Sequence, residues 1–149
     1  MRTAQEWLDA YGESHQNPTN KALHWICIPA IMVSLVGLLG SIPSPFPGLD
    51  WGVILIAGAV VYYAMLSIPL AIGMVVVGGL ILSARGWLAG LDHPLWLTSS
   101  VVFVLAWIGQ FIGHKIEGKK PSFFEDLQFL LIGPMWLMAF VFRRLGLQY

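Results

Sequence analysis

Long apolar segments dominate this chain and limit what it can fold into. Residues 22–39, 51–82 and 95–113 contain no charged side chain, and hydrophobic residues make up 57% of the 149 residues against 11% charged. An apolar helix of about 20 residues matches the roughly 30 Å hydrocarbon core of a bilayer. Soluble domains carry about 25% charged residues, so the composition excludes one. The sequence predicts an all-α integral membrane protein, with residues 1–149 forming a single membrane domain.

Prolines divide the apolar segments into separate helices. Residues 41–48 contain three prolines, and residues 51–82 are too long for one crossing, with a break predicted near Pro69. A proline lacks a backbone N–H and clashes with the preceding helical turn, so helices end or kink there. We therefore predict four transmembrane helices, from residues 22–39, the two halves of residues 51–82, and residues 95–113. One long helix kinked at Pro69 is the alternative for residues 51–82.

The two ends of the chain are predicted as helices of other kinds. Thr3 and Glu6 have the spacing of a capping box, and apolar residues recur at helical spacing after them. This pattern predicts an N-terminal interfacial helix, although a surface helix packed on the bundle fits it too. Residues 127–142 are short for a crossing and contain Gly133 followed by Pro134. We expect a C-terminal re-entrant or broken helix there, made of two half-helices.

The basic residues predict which side of the membrane each segment faces. Seven of the eight fall on one side if the chain crosses four times and its C-terminal segment is re-entrant: Arg2, Lys21, Lys115, Lys119, Lys120, Arg143 and Arg144. A fifth crossing would move the last two to the other side. Lys and Arg favour the cytoplasmic side of short loops. We therefore expect a protein of the inner or cytoplasmic membrane, or of the ER in a eukaryote, with its active site toward the cytoplasm.

Charge and cysteine content exclude several other classes. Eight Lys and Arg balance eight Asp and Glu, so there is no basic excess for a phosphate backbone and nucleic acid is not an expected partner. Cys27 is the only cysteine, which excludes an internal disulfide and an iron–sulfur cluster. Any metal must therefore be held by His and carboxylate side chains.

Polar residues concentrate in two short stretches, before the first predicted span and at the end of the fourth. They contribute His15, Asn17, Asn20 and His24, and then Gln110, His114 and Glu117. Asn17 is a natural N-cap before Pro18, so the first span is predicted to begin near residue 18. Apart from His15, which lies in the turn ahead of that helix, each set forms one stripe along a helix. An even number of crossings separates the stretches, so both stripes lie on the same membrane face and can converge.

The two stripes predict a metal site. The candidate ligands are the neutral imidazoles of His15, His24 and His114. The side chains expected to orient these rings are those of Asn17, Asn20 and Gln110. Glu117 is a candidate catalytic residue, as a fourth ligand or a nearby base, or alternatively an ion-pair partner of Lys120. The alternative without a metal is that each histidine only hydrogen-bonds to a neighbouring helix. Imidazole suits Zn, Cu, Fe and Ni alike, so the ligand type does not choose the metal.

The same residues resemble a family of membrane 2-hydroxy fatty acid dioxygenases, formerly a domain of unknown function. Its fungal member acts in the metabolism of phytosphingosine to odd-numbered fatty acids. The resemblance rests on His15, Asn17, Asn20, His24, Ile28 and Pro29, on Gln110 to His114, and on Pro121, Asp126, Gln128 and Pro134. It covers nearly the whole chain. It implies an Fe(II)-dependent dioxygenase that converts a 2-hydroxy fatty acid and O2 to a fatty acid one carbon shorter plus CO2, an alpha-oxidation.

The resemblance also implies roles for individual residues. His15, His24 and His114 match the iron ligands, and the acyl tail of the lipid substrate would lie among the membrane spans. Charge and position make three lysines candidates for holding the substrate carboxylate before it reaches the metal: Lys21, Lys115 and Lys119. His93 lies in the outer loop and is given no role.

Three other functions compete with the dioxygenase. A small transporter or channel subunit would line a path with polar groups, but the second and third spans carry few beyond Tyr62, Tyr63 and Ser67. A structural membrane protein would use its glycines for close helix packing. A zinc-dependent lipid hydrolase would keep the three histidines and use metal-bound water as its nucleophile. Analysis of the bound metal distinguishes these functions.

Overall fold

Six α-helices make up the described part of the chain. The structure is a computed structural model, and it describes the backbone of residues 3–118 and 123–149 and the side chains of residues 3–118 and 130–149. The helices are α1 (Ala4–Glu13), α2 (Pro18–Gly40), α3 (Trp51–Leu66), α4 (Ile68–Ala89), α5 (Leu95–Glu117) and α6 (Phe123–Arg144). The described residues contain no strand. The all-α prediction is confirmed for them.

Capping residues fix the helix boundaries where the sequence predicted them. Thr3 caps α1 in a reciprocal pair of hydrogen bonds with Glu6. The side chain of Asn17 accepts hydrogen bonds from two backbone N–H groups in the first turn of α2. Ser67 ends α3 and caps α4 with its hydroxyl, which confirms the break within residues 51–82. Each cap satisfies N–H groups that a helix start leaves without an intrahelical partner.

Three of the described helices are long and apolar enough to cross a membrane: α2, α4 and α5. The fourth apolar helix, α3, has 16 residues and is about 24 Å long at the usual helical rise, short of a roughly 30 Å core. The sequence predicted four crossings because residues 51–82 are too long for one crossing and are divided near Pro69. The break at Ser67 gives the longer part to α4.

The C-terminal apolar segment is one helix, so the prediction of two half-helices is wrong for the described backbone. α6 runs from Phe123–Arg144 with Pro134 in its interior. The proline removes one backbone hydrogen bond, which by itself destabilises a helix. Residues 132–139 are nevertheless all buried, so these two turns of α6 pack against neighbours on every side. Tertiary packing, which the sequence pattern did not reveal, keeps the helix continuous.

An ion pair marks one end of the bundle, which we call the Arg85 end. Nη1 of Arg85 in α4 lies 2.7 Å from Oδ2 of Asp50, the N-cap of α3. Burial raises the pKa of Asp50, but hydrogen bonds from Arg85 and from the backbone of Val53 outweigh it and hold this pKa below its ordinary value. A Cβ on Gly40, at the end of α2, would lie 2.7 Å from the Arg85 guanidinium. Helices α2, α3 and α4 therefore alternate in direction.

Small residues bring α2 and α5 close together along their length. Gly37 of α2 packs against Ser99 near the start of α5. A Cβ on Gly109 would lie 2.6 Å from the facing cysteine sulfur, and one on Gly113 would lie 3.4 Å from the ring of His24. Glycines four residues apart allow this kind of close helix crossing in membranes. The two helices are antiparallel, so the start of α2 meets the end of α5, and we call this the His end.

Candidate metal centre

Three buried histidines meet at the His end of the bundle. His15 is 2% exposed, His24 1% and His114 9%, and one ring nitrogen from each lies within 4.8 Å of those of the other two. The ring centroids of His15 and His24 are 4.3 Å apart, and those of His24 and His114 are 5.1 Å apart. The rings come from the turn between α1 and α2, from α2 and from α5. The structure thus brings together the three residues predicted as ligands.

Backbone carbonyls fix the proton position on two of the rings. Nδ1 of His15 lies 2.6 Å from the carbonyl oxygen of Tyr11, and Nδ1 of His24 lies 2.9 Å from that of Asn20. A carbonyl can only accept, so in both contacts Nδ1–H donates. The neutral ring then carries its lone pair on Nε2, the form that ligates a metal. Metal-binding histidines commonly use a carbonyl in this way.

Two aromatic residues support His15 from the side. The ring of Tyr11 stacks on that of His15 with centroids 4.0 Å apart and planes 12° from parallel. Trp136 of α6 lies 5.7 Å from both rings, centroid to centroid. Neither residue is predicted from the sequence to be part of the site. Tyr11 precedes His15 by four residues, a spacing that signals a possible contact, whereas nothing local signals Trp136.

Glu117 binds the start of α2. Its carboxylate accepts hydrogen bonds at 2.9 Å from the backbone N–H groups of Gln16 and Asn17 and from Nδ2 of Asn20. The first N–H groups of a helix form the positive end of its dipole, which favours a carboxylate there. Among the described residues the group able to hold a metal comprises the histidines without Glu117. The contacts of Glu117 therefore hold the start of α2 in place. Lys120, its predicted ion-pair partner, lies outside the described residues.

Asn20 links this carboxylate to the histidines. It is fully buried, its backbone carbonyl accepts from His24, and its side-chain amide donates to Glu117 and to the carbonyl of Ser14. Asn17, predicted to orient a ring, uses its side chain to cap α2. The two asparagines thus hold the chain that carries the rings.

A cavity adjoins the histidines, and we call it the histidine cavity. Its walls include Tyr11, His24, Trp107, Gln110, His114 and Pro134, and its volume is about 40 Å³. That volume accommodates roughly three water molecules. Nε1 of Trp107 is buried and has no hydrogen-bond partner among the described residues. A buried N–H without a partner is rare in native proteins and calls for an explanation.

Of the three predicted lysines, the two that the structure describes are not part of the cavity wall. Lys21 is half-buried and Lys115 is exposed, and neither lines the histidine cavity. Lys119 lies outside the described residues. Gln110, predicted beside the rings, does line the cavity and is buried. His93 is exposed in the loop between α4 and α5, as the sequence predicted.

Comparison with known proteins identifies the family. The family model described as "2-hydroxy-palmitic acid dioxygenase Mpo1-like" matches residues 1–145. The chain belongs to the Mpo1-like family. It is 28% identical over 144 residues to the 2-hydroxy-palmitic acid dioxygenase MPO1 of Saccharomyces cerevisiae, an alignment that covers 93% of this chain and 79% of the yeast protein. No solved structure matches the chain. The family resemblance inferred from the polar stretches is therefore confirmed.

The residues of this Mpo1-like chain fit a divalent transition metal. Three buried imidazoles surround one point, and two of them are fixed with Nδ1 protonated. Imidazole is a ligand for Fe, Zn, Cu and Ni. Three neutral ligands leave coordination positions open and leave the charge of the ion uncompensated. Such a site suits a small anionic ligand entering from the adjoining cavity.

Proposed function

We propose that this protein is an Fe(II)-dependent dioxygenase that converts a 2-hydroxy fatty acid and O2 to a fatty acid one carbon shorter, CO2 and water. The observation that carries the proposal is the buried cluster of His15, His24 and His114 beside a cavity. Membership of the Mpo1-like family supports a dioxygenase acting on a 2-hydroxy acid. The histidine cluster supports a metal-dependent reaction.

The reaction balances without a further reductant. The C1–C2 bond of the substrate breaks, C1 leaves as CO2, and C2 becomes the carboxyl carbon of the shorter acid. The electrons released by this oxidation are those that one O2 accepts when it is fully reduced. The remaining oxygen and hydrogen atoms form one molecule of water. A separate electron donor, and a site to bind it, is therefore not required.

The chain's own residues supply ligands, orientation and exclusion of water. Ferrous iron held by the three histidines would supply the one-electron chemistry that O2 requires to react with an organic acid. Tyr11 and Asn20 hold two of the rings through their carbonyls. Ile28 and Met32 line the cavity beside them and make the site apolar on its membrane side. An apolar wall of this kind excludes bulk water from the reacting atoms.

Trp107 is our candidate for binding the polar head of the substrate. Its buried Nε1–H lacks a partner among the described residues, and the residue lines the cavity next to Gln110. Leaving such a donor unsatisfied costs about 1–3 kcal/mol, which a substrate oxygen accepting the bond would recover. Lys21 and Lys115 lie outside the cavity wall, so their proposed role is to attract the anionic substrate on its approach.

The proposed topology has four crossings with the histidines toward the cytoplasm. It adds α3 to the three longer spans, because α3 lies between α2 and α4 in the alternating arrangement and is uniformly apolar. α6 does not complete a fifth crossing in this proposal. Its C-terminal part packs on the start of α4, where a Cβ on Gly73 would lie 2.9 Å from the ring of Phe142. The basic Arg143 and Arg144 then stay on the side that carries Lys21 and Lys115.

Metal analysis combined with turnover tests the function. The protein is purified anaerobically in detergent, its metals are measured, and 2-hydroxypalmitate and O2 are supplied while CO2 and the shorter acid are quantified. We expect about one iron per chain, lost together with activity in His114→Ala and retained in His93→Ala, the exposed control. Stoichiometric zinc with ester hydrolysis would instead favour the lipid hydrolase. A folded protein that binds no metal would favour a packing role for the histidines or a transport function.

A further inference from the structure

A second cavity lies deeper in the bundle, between α2, α3, α4 and α6, and we call it the apolar cavity. Its walls include Val36, Leu55, Ala59, Met74 and Ile81, and its volume is about 40 Å³. Tyr63 also lines it, but the Tyr63 hydroxyl donates to the backbone carbonyl of Leu131. The wall is therefore apolar apart from a polar group that is already satisfied.

The two cavities are neighbours. Met32, Leu130 and Pro134 line both, so these side chains stand between the histidine cavity and the apolar cavity. The apolar cavity extends from them toward the Arg85 end, along α2 as far as Val36. Twelve helical residues separate His24 from Val36, a span of about 18 Å at the usual rise. This distance along α2, measured from His24, is similar to the length of a long acyl chain.

We propose that the apolar cavity binds the acyl tail of the 2-hydroxy fatty acid, and that Ala59 and Ile81 set the chain length the enzyme accepts. The proposal rests on the proposed function. The carboxylate and 2-hydroxyl occupy the histidine cavity, and the tail passes between Met32 and Leu130. Because the tail is apolar and the cavity wall offers it no unsatisfied polar group, a bilayer lipid fits and a polar metabolite does not.

The apolar cavity must widen to hold a tail, because its volume of about 40 Å³ takes only a few water-sized groups. The methionines allow this widening. Met32 stands at the junction of the two cavities and Met74 lines the deeper one. Methionine is unbranched and adopts several rotamers at small cost, so it can move aside where a branched side chain cannot. Ala59 has the smallest side chain among the wall residues named above and lies midway along the α3 side. A larger residue there would close the cavity beyond its midpoint.

Chain-length selection in a membrane enzyme of this kind is steric. A tail that leaves the bilayer for the cavity exchanges one apolar environment for another, so burying a further methylene gains little hydrophobic free energy. What the protein can impose is a limit, where the tail meets a wall that does not move. Ile81 lies near the Arg85 end of the cavity, eleven residues beyond Leu70 on α4, and is buried. It is our candidate for that limit.

Chain-length profiles of matched variants test the proposal. Ala59→Leu should lower kcat/KM for 2-hydroxypalmitate by about tenfold or more, because it inserts bulk into a packed site. The kcat/KM for the shorter 2-hydroxyoctanoate should stay within about twofold of the wild-type value. Ile81→Ala should move the preference toward longer acids. Ala57→Leu is the matched control, because Ala57 is exposed on the same helix. A uniform loss with every chain length, at unchanged iron content, would place the tail elsewhere and overturn the proposal.

A binding readout separates this proposal from the proposed reaction. A 2-hydroxy fatty acid with a photoreactive diazirine near its tail end is irradiated with the wild-type protein, and the labelled residues are located by mass spectrometry. We expect labels on the α3 and α4 residues that line the apolar cavity, reduced in Ala59→Leu and retained in Ala57→Leu. This labelling without turnover would refute the reaction and keep the cavity assignment. Turnover with labels only on lipid-facing residues would support the reaction and overturn the cavity assignment.

Discussion

Glu117 at the end of α5 accepts a hydrogen bond from the side chain of Asn20 in α2, with 2.9 Å between Oε2 and Nδ2. The backbone carbonyl of the same asparagine accepts the proton of His24 Nδ1. Glu117, which is outside the histidine cluster, thus holds Asn20, and Asn20 orients the ring of His24. Glu117 also binds two backbone N–H groups in the turn that carries His15. These contacts make Glu117 our proposed positioning residue for two of the three candidate ligands.

Replacing Glu117 with Gln should weaken metal binding while the reaction of the loaded enzyme persists. The amide keeps one acceptor oxygen but loses the charge that binds the start of α2, and removing outer partners of metal ligands typically costs 10- to 100-fold in affinity. We expect iron affinity to fall by about that factor, with kcat per bound iron changed by less than twofold and Glu117→Asp partly restoring affinity. Competition with a chelator measures the iron affinity, and Asp92→Asn in an exposed loop is the control. Unchanged affinity would refute the positioning role.

A methyl group at Gly113 should push α2 and α5 apart. Its Cβ would lie 3.4 Å from the His24 ring and closer still to the Asn20 side chain. Overpacking of this kind costs about 1–3 kcal/mol, so Gly113→Ala should lower the unfolding temperature in detergent and reduce iron retention. Gly79→Ala is the matched control, since nothing lies within 4 Å of its Cβ position. Alanine is the better helix former there by up to about 1 kcal/mol, and we expect Gly79→Ala to be neutral or stabilising.

Trp107→Phe should raise KM without loss of metal. The phenyl ring keeps most of the apolar contact and removes only the Nε1–H donor. A hydrogen bond to a charged acceptor is worth about 1.5–3 kcal/mol, so KM for a 2-hydroxy acid should rise roughly ten- to hundredfold. Trp96→Phe, at an exposed position of the same helix, should leave KM unchanged. Equal effects of the two substitutions would mean that no substrate oxygen accepts the Trp107 N–H.

The ion pair between Asp50 and Arg85 predicts a pH dependence of stability. The folded protein holds the pKa of Asp50 below its ordinary value of 3.8, so the ionised carboxylate stabilises the fold above that pH. The contribution decreases as the pH falls below about 4 and the carboxylate becomes protonated in the folded state. We expect wild type to lose more stability than Asp50→Asn between pH 6 and pH 3, by at most about 1 kcal/mol for a partly exposed ion pair. Thermal unfolding in detergent at both pH values measures the difference, and parallel losses in the two proteins would contradict it.

The histidine cluster could be predicted because the residues that form it stand out within two short stretches of the sequence. His15, His24 and His114 lie in two polar stretches at helix ends, and an even number of predicted crossings brings such ends to one face. The caps at Thr3 and Asn17 are likewise local signals, each a side chain bonding within one helical turn. Both features depend on spacing along the chain, which a single sequence contains in full.

The features that could not be predicted depend on contacts between distant segments. Trp136 packs beside His15, although 121 residues separate them, and no periodicity records that pairing. The continuity of α6 through Pro134 depends on neighbours that bury two of its turns on all sides. Gly109 and Gly113 have the four-residue spacing of a close helix crossing. That spacing is a sequence signal for the approach of α2 to α5, but the partner helix becomes evident only in the fold.

The three histidines come from the turn after α1, from α2 and from α5, so an ion bound to all of them joins three separate segments of the chain. A ligand that binds only the folded state stabilises that state in proportion to the logarithm of its free concentration. With iron as the proposed ion, the folding stability of this protein would be coupled to the iron supply of its cell, and chains made when iron is scarce would be the first to unfold and be degraded. The abundance of the protein in the membrane would report on available iron even when its lipid substrate is absent.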